Sequence, residues 1–246
     1  MENKAVILTA LPVEYSAVRF HLSNVEEVEH KGSIYEKGEF AGKNKNWQVL
    51  IAEAGAGNPN AAFETERAIT YFNPQIAFFV GIAGGVKDVQ IGDIVAATKI
   101  YGYESGKVED SFKVRPNVGE SSYSLIQKAR VAARNSDWYS RISSNEESNN
   151  PKIYLGAIAA GEKVIASTEA EIFKFLKQNY NDTLAIEMEG RGFLTALHAN
   201  ESVQSIVLRG ISDLLDNKSD SSDSNRQEIA SKNVSAFAFE MLSNIS

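Results

Sequence analysis

Leu184-Ala185-Ile186-Glu187-Met188-Glu189-Gly190-Arg191-Gly192-Phe193 passes from an apolar, strand-like run into a helical pattern continued by Leu194 and Leu197. A buried strand feeding a helix is the repeating unit of α/β proteins. On a strand Glu187 and Glu189 point the same way, with Met188 on the opposite face. Two like charges side by side are costly unless a cation or a hydroxyl-rich group lies against them. A strand end with solvated acids is the plainer alternative.

The same unit recurs on both sides of this stretch. Residues 5–10 form an apolar run that turns at Leu11-Pro12-Val13-Glu14 into a helix, with Pro12 suited to its first turn and Val18 and Leu22 on its apolar face. Residues 32–42 and 47–54 read as neighbouring strands, the second ending in Gly55-Ala56-Gly57-Asn58-Pro59, and a helix is predicted over 60–72. Residues 75–80 form another buried strand that ends in Gly81-Ile82-Ala83-Gly84-Gly85. A further strand covers 91–98. Residues 101–119 read as a long loop, a length that in compact domains is usually functional or disordered. Then come a helix over 121–135, a polar insertion at 143–150, a strand over 153–160 and a helix over 169–180. Residues 183–188 are the strand quoted above. Residues 205–213 form the last core strand, 216–223 an acidic, serine-rich, lid-like segment, and 226–242 a closing helix. The economical architecture is a largely parallel sheet with helices on both sides. In such folds ligands gather outside the carboxyl ends of the strands, and every polar group named below sits at a strand exit.

At 246 residues and 43% hydrophobic content, the chain can bury a substantial core in one domain, taken as residues 1–246. No apolar run is long enough to cross a bilayer, and Met1-Glu2-Asn3-Lys4 leads directly into a strand without a secretory pattern. Zero cysteines exclude disulfides, thiolate metal sites and cysteine nucleophiles, and fit a cytoplasmic location. A formal net charge of −7 argues against nucleic acid as partner. His21, His30 and His198 show no metal-ligand spacing and read as surface or helix-face residues.

Glu14 at the first strand exit, Gly81-Ile82-Ala83-Gly84-Gly85, Ile91-Gly92-Asp93-Ile94-Val95, Glu187-Met188-Glu189 and Arg209-Gly210-Ile211-Ser212-Asp213 follow one another in an order and spacing that resembles the purine nucleoside phosphorylase superfamily. Within it the methylthioadenosine/S-adenosylhomocysteine nucleosidases are the most similar branch. The resemblance spans about residues 5–215. It implies a single α/β domain around a central, twisted, mixed and partly barrel-like sheet flanked by helices. It implies cleavage of the bond between a purine and ribose without metal or organic cofactor, and assembly into dimers or higher homo-oligomers.

The resemblance also implies roles. Asp213 is the general acid at purine N7, with Ser212 beside it; a carboxylic acid keeps its proton near neutrality only in an apolar setting, for which Ile211 and Leu214 are neighbours. A helix cap is the alternative for Asp213. Glu189 holds the ribose hydroxyls with Met188 against the sugar face, although core filling is a methionine's usual fate; Glu187 supports them. Glu14 activates the attacking water. Phosphorolytic relatives carry glycine and arginine in the equivalent loop, whereas Leu11-Pro12-Val13-Glu14-Tyr15 has neither, which favours hydrolysis over phosphorolysis. Arg209 lies near that water or pairs with one of the glutamates. Ile82, Ala83 and Gly84 approach the ligand, or simply form a tight turn, as do Gly55 and Gly57.

Two positions depart from the nucleosidase pattern. Ile82 stands where a small hydroxyl residue is usual, and Val164, beside Lys163 and Ile165 at the base pocket, where an aromatic ring is usual. With Lys107, Lys113 and Arg115 in the long loop as phosphate contacts, a nucleotide-cleaving relative such as the adenine-nucleotide nucleosidases of antiviral defence is a second reading, fused to or regulated by a defence sensor. The loop is otherwise a solvated surface. A catalytically silent nucleoside sensor is a third reading, opposed by the presence of all three acids.

Overall fold

The computed structural model describes residues 2–110, 112–115, 117–142, 150–165, 167–215 and 223–246. The chain begins β1 (Lys4–Thr9), α1 (Pro12–Arg19), β2 (Ser23–His30), β3 (Ser33–Ala41), β4 (Asn46–Glu53), α2 (Asn58–Phe72), β5 (Ile76–Gly85) and β6 (Ile94–Gly102). It continues with the short strands β7 (Gly106–Val108), β8 (Phe112–Val114) and β9 (Val118–Glu120), then α3 (Tyr123–Ala133) and a single 3-10 turn (Asp137–Arg141). The last elements are β10 (Ile153–Ala160), α4 (Glu171–Asn179), β11 (Thr183–Glu187), α5 (Gly190–His198), β12 (Gln204–Leu214) and α6 (Asp223–Ser243). Among the described residues no helix is long and apolar enough to cross a membrane.

One mixed sheet runs β11-β10-β6-β12-β5-β1-β4-β3-β2, and a further pairing of β11 with β5 closes its first five strands on themselves. The barrel-like part is therefore β5, β12, β6, β10 and β11, and the open wing is β1, β4, β3 and β2. The sheet is less parallel than strand–helix alternation alone suggests, because β12 with β6, β11 with β5, and the wing strands β2 to β4 pair antiparallel.

Strand alternation builds a core on each face. Ala5, Ile7, Val49 and Ile51 pack with Val18 of α1, Leu125 and Ala129 of α3 and Val234, Phe237 and Leu242 of α6. Val6, Leu8, Leu50 and Ala52 face the other way, onto Ala61, Ala68 and Phe72 of α2 and Phe193 and Leu197 of α5. A smaller cluster around Tyr103, Phe173, Leu176 and Tyr180 seats α4.

Several local expectations change. Gly81 to Gly85 are part of β5 rather than a turn after it, because β12 pairs along the whole strand, from Gln204↔Ile76 to Leu214↔Gly85. β2 is an additional strand, acidic and largely exposed, whose two valines, Val25 and Val28, are three apart and give no strand alternation. The segment read as a long loop holds the end of β6, the start of β9 and the hairpin β7–β8, which leans on α4 through Phe112 and Phe175, with ring centroids 5.3 Å apart. β11 stops at Glu187, so Met188 and Glu189 are not on a strand and the same-face argument for the two glutamates does not hold. Of the polar insertion at 143–150 only Asn150 is described, and of the lid-like 216–223 only residue 223, which opens α6.

Candidate active site

β5 has different neighbours along its length. Its first half pairs with β1 from Ala5↔Ile76 to Leu8↔Phe79, and its last residues pair with β11 at Gly84 and Gly85. Between the end of β1 and the start of that second pairing, a stretch of β5 has no partner strand on this side among the described residues. A buried backbone N–H must find an acceptor. For Ile82 the acceptor is a side chain: Oε1 of Glu14 takes its N–H at 2.8 Å, while Oε2 takes those of Ala10 and Leu11 at 2.7 and 3.0 Å. The turn from β1 into α1 delivers Glu14 to this gap. Burial pushes its carboxyl above the ordinary range, opposed by the Arg209 charge and the three backbone donors.

Glu187 ends β11, and its Oε2 accepts the N–H groups of Glu189 at 3.0 Å and Gly190 at 2.7 Å, the open donors at the start of α5. The same oxygen is ion-paired with Nη2 of Arg209. Glu189 accepts from Nη2 of Arg209 at 3.1 Å through Oε2 and from the Gly57 N–H at 3.1 Å through Oε1. Gly57 has φ +99, a conformation that suits glycine. Burial raises Glu189 to about 7 despite Arg209, and Glu187 adds to the rise.

Arg209 is fully buried, with its guanidinium carbon 4.6 Å from the centroid of the Phe79 ring. It does not line the cavity. Its guanidinium pairs with both Glu187 and Glu189 and also lies beside Glu14. Gly81 makes room for it: a Cβ there would overlap Nη1 of Arg209 and stand 2.7 Å from Oε1 of Glu14.

At the exit of β12 Ser212 donates to Oδ1 of Asp213 at 2.9 Å, and the backbone of Gly84 lies against the carboxyl. Asp213 is half-buried and remains within β12, so helix capping is not its role. The Gly92-Asp93 motif steadies this strand end: the Gly92 N–H reaches the Ile211 carbonyl, and the Ile211 N–H the Asp93 carbonyl, each at 2.8 Å.

These strand exits surround a cavity of about 320 Å³. Glu14, Ile82, Ala83, Gly84, Lys163, Val164, Ile165, Glu187, Met188, Glu189, Ser212 and Asp213 all line it. The structure does not bring Lys107, Lys113 or Arg115 there; Lys107 and Lys113 pair with Glu109 on the β7–β8 hairpin. Lys163 pairs with Glu104. Sequence reasoning missed Ala10, Leu11, Ala56, Ile186, Leu215 and Gln227 in the lining. Ala10, Leu11, Ile186 and Leu215 lie within four residues of ones it did find, whereas Ala56, in the glycine-flanked turn after β4, and Gln227, on the first turns of α6, carry no chemical signature.

Fold and site together define a class: an α/β protein with a partly closed sheet and a carboxylate-lined ligand cavity at its strand exits. The chain belongs to the phosphorylase superfamily, whose family pattern matches residues 4–243. It is 28% identical to a 5'-methylthioadenosine/S-adenosylhomocysteine nucleosidase of Psychromonas ingrahamii, over 98% of this chain and 99% of that protein. A protein of the same description from Listeria welshimeri is 25% identical over 97% of this chain and 98% of its own. Among solved structures, the Neisseria meningitidis nucleosidase in complex with methylthio-immucillin-A superposes with a TM-score of 0.81 at 24% identity, covering 99% and 100% of the two chains. Futalosine hydrolase of Helicobacter pylori does so with a TM-score of 0.79 at 24% identity, covering 99% and 98%.

Proposed function

We propose that this protein is a purine nucleosidase that hydrolyses the N-glycosidic bond of an adenine nucleoside and releases the free base. The observation that carries the reading is the convergence of Glu14, Glu189 and Asp213, from distant parts of the chain, on one cavity.

Each acid suits one demand of the reaction. As the bond between C1′ and the purine nitrogen breaks, its electron pair moves into the base, and Asp213 protonates or hydrogen-bonds N7 so that the base leaves neutral. The sugar becomes cationic, as in other glycosyl transfers. Glu189 accepts hydrogen bonds from the ribose hydroxyls, and these strengthen as the positive charge grows. Water adds to C1′, and Glu14 takes the proton it loses. A carboxyl whose affinity for protons is raised by burial is a better base for that step than an exposed one.

Hydrolysis is favoured over phosphorolysis by the charges around the cavity. A phosphate dianion would face Glu14, Glu187 and Glu189, while Arg209 is already engaged by two of them and Lys163 by Glu104. The lining of Leu11, Ile165, Ile186 and Leu215 suits an apolar 5′ group better than a phosphate chain. Self-association of the chain belongs to the same reading.

The test is a panel of adenosine, methylthioadenosine, inosine, AMP and ATP, with and without phosphate, scored for free base by chromatography. Base release from methylthioadenosine or adenosine, independent of phosphate, is the expected result. Ribose 1-phosphate formed only with phosphate would overturn the role of Glu14. Cleavage of ATP but not methylthioadenosine would move the reading to a nucleotide-depleting enzyme.

A further inference from the structure

Asn58, at the start of α2, is absent from the cavity lining, yet its side chain reaches two other segments of the site. Its Oδ1 accepts the N–H of Gly192, in the first turn of α5, at 2.8 Å. Its Nδ2 donates to Oε1 of Glu162 at 2.8 Å and lies 3.3 Å from the Gly161 carbonyl, both just beyond β10. The backbones of α2 and α5 are in direct contact here, since a Cβ on Gly192 would overlap the Asn58 carbonyl.

Both ends of the bond between the Gly57 N–H and Oε1 of Glu189 adjoin segments tied together by this one side chain. Gly57 precedes Asn58 in the chain, so fixing Asn58 fixes the donor. Glu189 immediately precedes α5, and the bond to Gly192 fixes the helix start and therefore the acceptor. Through Glu162, whose Oε1 also accepts the Asn58 backbone N–H at 3.3 Å, the same amide helps hold the segment whose next residues, Lys163, Val164 and Ile165, form a wall of the cavity. The task needs a donor and an acceptor on one short side chain. An aspartate would lose the donor and set a second anion against Glu162.

We propose that Asn58 is a positioning residue for the ribose-binding carboxylate of Glu189, holding it in register with the wall at Lys163 to Ile165. This rests on the nucleosidase reading. A misplacement of about 1 Å at a reacting centre costs on the order of 100-fold in rate. Because Asn58 acts through the hydrogen bonds of Glu189 to the sugar, its effect depends on the sugar having hydroxyls.

The experiment compares Asn58→Ala, Asn58→Asp, Glu189→Gln and wild type on adenosine or methylthioadenosine, whichever wild type cleaves, and on the 2′,3′-dideoxy form of the same nucleoside. For Asn58→Ala, kcat on the ribonucleoside should fall about 10- to 100-fold with KM within about threefold, and the dideoxy substrate should lose less than about threefold. Asn58→Asp should show the same selectivity, and serves as the readout where Asn58→Ala melts below the assay temperature. Equal losses on both substrates, or wild-type rates in Asn58→Ala while Glu189→Gln is impaired on the ribonucleoside alone, overturn the role of Asn58 and leave that of Glu189 intact. Wild type that releases no base, or Glu189→Gln impaired equally on both substrates, overturns the ribose role of Glu189 and this proposal with it.

Discussion

Arg209 keeps its charge without any exposure to solvent, because Glu187, Glu189 and Glu14 outweigh the burial that opposes it. Burial pushes the Glu189 carboxyl up to about 7 against the pull of Arg209, and the neighbouring Glu187 and Glu14 add to the rise. Stability and activity should therefore run in opposite directions with pH. A carboxyl raised in the folded state favours folding while it is protonated, so its contribution is full below about 4.5 and is lost as pH rises through about 7. Glu189→Gln, a neutral isostere, should gain on wild type as pH rises and melt about 2–4 °C higher at pH 8, with the difference shrinking toward pH 4.5; melting curves at several pH values read this. Activity needs the ionised form, so kcat/KM of wild type should climb on its acid limb toward pH 7, and Glu189→Gln should be slower by roughly 10- to 100-fold. Asp213→Asn keeps the shape of the side chain but removes the carboxyl, and base release should fall about 100- to 10,000-fold with the melting temperature little changed. Unchanged turnover would remove Asp213 from the reaction.

Strand β5 shows how one element serves both the sheet and the site. Its glycine-rich second half passes Arg209 and Glu14 at Gly81 and Asp213 at Gly84. Gly81→Ala has no room for its methyl group without moving the Arg209 guanidinium away from its acids. It should cost about 1–3 kcal/mol in chemical denaturation and slow base release by a larger factor than it raises KM. A loss of stability with unaltered turnover would show that the Arg209 cluster tolerates displacement. These residues were legible as chemistry and illegible as structure. Repeated glycines punctuate a chain as a turn does, and the partners β12, along the full length, and β11, at Gly84 and Gly85, keep them extended. The strand exits, with Glu14, Glu189 and Asp213, were readable because apolar runs ending in polar groups mark them locally. Long-range partners left no such mark. Asn58 read as part of a turn, Arg209 could be given no single partner, and β2 hides a strand behind acids at a sheet edge, where charge guards against pairing with other chains.

Across the whole molecule, α6 connects the cavity to the far side of the sheet. Its first turns bring Gln227 to the cavity, and its middle lies so close to β12 that a Cβ on Gly210 would overlap the Ala230 carbonyl. Toward its end Val234, Phe237, Phe239 and Leu242 fill the core beneath β1 and β4. The last anchor is Glu240, buried in that core, with Oε1 2.7 Å from Nζ of Lys43 and Oε2 2.8 Å from Nε of Arg141. Burial pushes its carboxyl up, but the hydrogen bonds from Lys43, Arg141 and Asn244 outweigh it and hold the group below its ordinary value. Such a carboxylate stabilises the fold above its unfolded value of 4.5, and the contribution is lost as pH falls through its lower folded value. Glu240→Gln gives up two charge-assisted bonds, while Lys43 and Arg141, both partly exposed, can turn to water. It should cost about 2–3 kcal/mol at neutral pH, with the deficit narrowing in acid. Because Glu240 is not in the cavity lining and its side-chain bonds go to Lys43, Arg141 and Asn244, kcat and KM should stay at wild-type values below the melting transition. A fall in kcat without a fall in stability would instead make the far end of α6 part of the catalytic geometry, transmitted to Asp213 through the packing of the helix on β12.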